Sequence, residues 1–140
     1  MSSLLGALLS APGLYRGRGD GAESGPFMAR IQVSPVVSAS GVAIDYEASS
    51  DRRGLQHVEH SVLTVGEDGR PALHVFCSEL PGVVRFTEGK PGVFTLYDGP
   101  IQARIIVTVP NPGHLTYSWW WSRDENELSE QFRAEVRRTG

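Results

Sequence analysis

Apolar and polar side chains alternate along most of the chain with a period of two. In Phe27 to Ser34, residues Phe27, Ala29, Ile31 and Val33 share one face, and Met28, Arg30, Gln32 and Ser34 the other. The same alternation marks Val42 to Ala48 and Leu55 to Val65. Further strand-like runs follow at Ala72 to Cys77, Val83 to Thr87, Val93 to Tyr97, Ile101 to Val109 and Leu115 to Ser122. Turn chemistry separates them at Gly66-Glu67-Asp68-Gly69, Pro81-Gly82, Glu88 to Gly92, Asp98-Gly99-Pro100, Pro110 to Gly113 and Arg123-Asp124-Glu125-Asn126. Gln131 to Arg138 fits a helix or a strand, and Phe132, Ala134 and Val136 favour the strand. With the glycine-rich Leu14 to Gly21, the pattern predicts about ten short antiparallel strands. No long amphipathic helix lies between them, which argues against parallel βαβ units. An all-β, up-and-down barrel is expected, because closure removes exposed sheet edges; a sandwich is the competitor.

One helix is expected, at Leu4 to Leu9, with Ser2 or Ser3 as its N-cap and Pro12-Gly13 as its stop. The same apolar residues resemble the core of a signal peptide, but no Lys or Arg precedes Arg16. They are too few to span a bilayer. The expectation is therefore a cytoplasmic protein with no membrane segment.

Composition narrows the classes. At 140 residues, 40% hydrophobic and 21% charged, the chain suits a single globular domain over 1–140. A net charge of -3 lacks the basic footprint of a nucleic-acid binder. The lone cysteine, Cys77, excludes an intramolecular disulfide and a cysteine-cluster metal site, and reads as a small buried hydrophobe.

Gly13-Leu14-Tyr15-Arg16-Gly17-Arg18-Gly19 enters the first strand after a short helix, and the last strand is basic. This order resembles the calycins: lipocalins, fatty-acid-binding proteins and bacterial nitrobindin-like barrels. The resemblance implies a barrel that holds a small apolar or amphiphilic ligand. It also implies a structural signature of Gly13, Tyr15 and Arg138, in which Tyr15 replaces the family's tryptophan and packs against Arg133, Arg137 or Arg138 at the barrel base. Nitrobindin-like barrels bind haem through a late histidine. Here no histidine follows His114, so that activity is not carried over and no cofactor is expected.

Several side chains are candidates for chemistry. In His57-Val58-Glu59-His60, alternation puts His57 and Glu59 on one face and His60 on the other. The expected arrangement is His57 and Glu59 at the surface with His60 inside. That split argues against a metal site. His74 is a second candidate interior histidine. Trp119 and Trp121 share a face with Tyr117, whereas Trp120 falls among Thr116, Ser118 and Ser122 and suggests a homodimer interface. Arg85 and Arg104 lie mid-strand and read as outer-face residues. The leading expectation is a ligand-binding barrel lined by Tyr46, His60, His74, Phe86, Tyr117 and Trp119. The alternatives are an isomerase or cyclase with His60 or His74 as general base, and a packed interaction module.

Overall fold

The computed structural model describes residues 3–98, 101–122 and 127–139. Ten strands are found among them: β1 (Gly13–Gly21), β2 (Gly25–Val36), β3 (Gly41–Ser50), β4 (Gly54–Val65), β5 (Pro71–Cys77), β6 (Val83–Glu88), β7 (Val93–Asp98), β8 (Ile101–Asn111), β9 (His114–Trp121) and β10 (Ser129–Arg138). Each pairs antiparallel with its neighbours in sequence, and β1 pairs with β10 to close the barrel. Gln131 to Arg138 is thus strand rather than helix. The expected turns at Gly99-Pro100 and Arg123 to Asn126, and Ser2 as a possible N-cap, lie outside the described residues.

Alternation produces the barrel in the expected way. The inward set includes Tyr15, Ile31, Val33, Ile44, Leu63, Leu73, Val75, Phe86, Phe94, Ile105, Val107, Leu115 and Val136. Pro110 sits in β8 where the β8–β9 register shifts between Thr108 and Asn111, an irregularity that tolerates the missing N–H. The glycines of β1 have a packing role. A Cβ at Gly17 would collide with the Glu135 carbonyl oxygen of β10, and one at Gly19 with the Phe27 ring. Glycine here lets β1 approach its neighbours where the sheet closes.

A six-residue helix, α1 (Leu4–Leu9), packs on β2, β3 and β8 at one end, the base. The Ser3 hydroxyl caps it by accepting from the Gly6 N–H at 3.0 Å. Leu8 is buried among the core side chains. Tyr15 is buried here too and pairs across the β1–β10 seam with Arg138. Its hydroxyl donates to the Ala11 carbonyl at 2.6 Å, and the Arg138 guanidinium donates to the Pro12 carbonyl at 3.3 Å. Tyr15 and Arg138 are thus cross-strand partners, and both side chains tie down the segment that links α1 to the barrel. No helix among the described residues is long and apolar enough to cross a membrane.

Candidate functional site

The opposite end of the barrel, the mouth, holds the main polar cluster. Its position follows from the β3–β4 register, in which Tyr46 faces Glu59, Ile44 faces Ser61 and Val42 faces Leu63. Directly opposed residues share a face of the sheet. The apolar inner face of β3 therefore carries Glu59 and Ser61 inside with it. A register shift next to Ala48 and Ser49 leaves Gln56 as the extra residue on β4 and seats His57 opposite Ala48, also inside.

This reverses the expected orientation of the His57–His60 segment. His57 is 3% exposed and Glu59 2%. His60 lies on the outer face with its side chain 54% exposed, its Nδ1 2.5 Å from Asp45 Oδ1. His74 also faces outward, with Nε2 3.0 Å from the Thr64 hydroxyl. Neither histidine can act as a general base inside the barrel. The hydropathy of β4 misled because Val58 and Val62 share the face of His60, whereas pairing with β3 decides which face is buried.

Glu59 collects hydrogen bonds from four side chains. It accepts from the Ser61 hydroxyl at 2.6 Å, the Trp119 indole N–H at 2.9 Å and the Tyr117 hydroxyl. The fourth partner is His57, whose Nε2 lies 2.9 Å away. The other ring nitrogen, Nδ1, lies 2.7 Å from Glu79 Oε2, and Glu79 in turn accepts from the Ser78 hydroxyl at 2.9 Å. A carboxylate–imidazole–carboxylate chain thus runs from the core to the mouth, where the Glu79 side chain is 33% exposed. Rings of Tyr46, Trp119 and Phe132 surround the imidazole at centroid distances of 5.0, 5.5 and 5.0 Å.

Burial alone would favour the neutral imidazole, but the hydrogen bonds to Glu59 and Glu79 outweigh it and push the His57 pKa up to about 9. Burial would raise Glu79 as well, yet the His57 hydrogen bond and charge hold it below the usual value. Burial and the neighbouring Glu59 charge raise Tyr46 and Tyr117, so both phenols keep their protons; the Tyr46 hydroxyl is buried without a hydrogen-bond partner among the described residues. Cys77 is buried, and burial pushes its thiol up to about 11.

These shifts set a pH dependence. His57 binds its proton more tightly folded than unfolded, so its stabilisation is complete below about pH 6.5 and is lost as pH rises through about 9. The expected loss over that window approaches roughly 3 kcal/mol, read by urea denaturation at pH 6.5 and 9.5. The Glu79 half of the same pair acts oppositely: its contribution is present above the ordinary carboxylate range and lost as pH falls through the lowered value. A His57→Gln variant should show a flatter alkaline limb, and an unchanged limb would disprove the assignment.

Above His57 lies a cavity of about 360 Å³ at the mouth. Its apolar wall is Phe27, Ala48, Trp121 and Phe132, and its polar lining includes Arg53, Gln56, His57, Glu79 and Gln131. The Phe132 ring stands at 80° to Phe27 and 71° to Trp121. Tyr46, Phe86, Tyr117 and Trp119 do point inward, as alternation indicates, but none of them borders this cavity. They are close-packed beneath it, because aromatic side chains of this size fill the middle of a small barrel. Trp120 faces outward, is only partly buried, and donates its indole N–H to the Ser118 hydroxyl at 3.0 Å. Among the described residues, no three His, Cys, Asp or Glu side chains converge as metal ligands would.

No family model and no curated protein sequence matches the chain. Solved structures do resemble it in shape. A phycobiliprotein lyase, CPES from Guillardia theta, superposes with a TM-score of 0.59 at 15% identity, covering 99% of this chain and 94% of the other. A de novo designed fluorescence-activating β-barrel gives 0.51 at 13% identity, covering 95% of this chain and 97% of the other. At such identities the likeness shows the barrel fold and nothing finer.

Proposed function

We propose that this protein is a one-domain barrel that binds a small amphiphilic molecule at its mouth. The ligand's apolar body lies against Phe27, Trp121 and Phe132, and its polar group reaches the Glu79–His57 floor. The observation that carries this reading is the pairing of an aromatic wall with convergent hydrogen-bonding groups in one cavity, the usual anatomy of a small-molecule site. The role of Tyr46, Phe86, Tyr117 and Trp119 is then to form the rigid bed on which His57 and Glu59 are held. Similarity in shape to a designed fluorescence-activating barrel and to a phycobiliprotein lyase is in keeping with a fold that can present such a site.

The test is titration with 2-naphthylmethanol, a neutral molecule with an aromatic body and one hydroxyl, followed by calorimetry. Binding should weaken at least about tenfold in Phe132→Ala, in line with the loss of roughly 1.4 kcal/mol or more of apolar contact. It should be unchanged in His60→Ala, which alters only the outer face. Equal binding by wild type and Phe132→Ala would place the site elsewhere, and no binding by wild type would end the reading.

A further inference from the structure

We infer that the mouth site selects ligands carrying a positively charged amine over neutral or anionic ligands with the same apolar body. The inference rests on the binding reading above and adds the charge of the ligand's polar group.

The charges around the cavity are unequal in number and in depth. Glu59, with four donors directed at it, has the surroundings of an ionised carboxylate, which only accepts. His57 lies between Glu59 and Glu79, so its single positive charge is shared by two carboxylates. The chain of three therefore carries one net negative charge. Glu79, at its outer end, presents that charge to the cavity with a third of its side chain exposed. The remaining charged lining residues, Glu23 and Arg53, have opposite signs. Arg53 sits exposed at the rim, where water screens its charge, whereas Glu79, about a third of its side chain exposed, is fixed at the cavity by its bonds to His57 and Ser78.

His57 has no nitrogen left for a ligand, since Nε2 faces Glu59 and Nδ1 faces Glu79. The polar floor therefore offers the ligand an acceptor, the Glu79 carboxylate, rather than a charged donor. Its suppressed protonation keeps that acceptor anionic at neutral pH. The walls reinforce the choice. Phe27, Trp121 and Phe132 are aromatic, and ring faces attract cations, tryptophan most strongly. An ammonium within reach of Glu79 would gain a charge-assisted hydrogen bond and ring contacts together. A carboxylate in the same place would meet Glu79 at close range.

The experiment compares three probes that share one ring system: 2-naphthylmethylamine, 2-naphthylmethanol and 2-naphthoate, titrated at pH 7 into wild type and Glu79→Gln. The amine should bind wild type at least tenfold more tightly than the alcohol, with naphthoate weaker than both. In Glu79→Gln the preference for the amine over the alcohol should fall most of the way to parity. Equal amine and alcohol binding, or tighter naphthoate binding, would overturn the inference and leave the ligand-binding reading standing. A preference for the amine that survives in Glu79→Gln would also overturn it, because another group would then supply the selectivity. Failure of all three probes to bind would overturn both. Circular dichroism and urea denaturation of Glu79→Gln establish that the variant is folded.

Discussion

Replacing Glu59 by leucine should destabilise the barrel by about 3–5 kcal/mol, the range for removing one partner of a buried charged pair. The side chain is close to leucine in size, so little of the effect comes from lost volume. It comes from the groups left behind. Tyr117 and Ser61 lose the acceptor for their hydroxyls, and Trp119 loses the acceptor for its indole N–H. Each buried donor so orphaned costs about 1–3 kcal/mol, and the costs are not additive because the cluster relaxes as a unit. His57 would lose one of the two carboxylates that keep it protonated, and its pKa should drop from about 9 towards or below its ordinary value. Urea denaturation and an imidazole NMR titration read the two effects separately. A stability loss under about 1 kcal/mol would mean that Glu59 is not the buried hub.

At the other end of the barrel, Tyr15→Ala should cost about 3–5 kcal/mol, as large-to-small aromatic truncations do. Tyr15 is 2% exposed, part of the core, and lies opposite Arg138 in the β1–β10 register. Its hydroxyl also fixes the Ala11 carbonyl, at the junction between α1 and β1. Tyr15→Phe keeps the ring and removes only that bond, so about 1 kcal/mol is expected. The contrast between the two variants separates packing from hydrogen bonding. Similar small losses for both would show that the base tolerates a void and that the Tyr15–Arg138 corner does not hold the closure.

The barrel was legible because alternation is a local signal. Each strand's inward set could be read from residues two apart, and most strands needed no knowledge of their neighbours. Tyr46, Phe86, Tyr117 and Trp119 were placed inside on that basis. The polar cluster was not legible because β4 presents two faces of similar hydropathy. Val58 and Val62 made the face of His60 look like the inner one. Only the β3 register, with Tyr46 opposite Glu59, breaks that tie, and register is a non-local property. Counting back from the turn at Asp51 to Arg53 does not break the tie: an unbroken count sets Val58 opposite Tyr46 and His60 opposite Ile44, and only the extra residue Gln56 moves Glu59 and Ser61 to the inside. Glu79 lies outside any strand, beyond the end of β5, so periodicity carried no information about it. Alternation puts Trp121 on the face of Trp119, and Phe132 on that of Ala134 and Val136, but their place beside an open cavity depends on where the packed aromatics stop, which spacing does not encode.

The proposed function requires that ligands enter at the mouth over His57 and Glu79, not at the outward histidines. Backbone amide NMR during titration with 2-naphthylmethylamine tests this most directly. The largest shift changes should fall on Ala48, Gln56, His57, Glu79, Trp121 and Phe132, all of which border the cavity. Changes centred instead on His60, His74 and Phe76, which face outward, with the mouth residues unmoved, would contradict it.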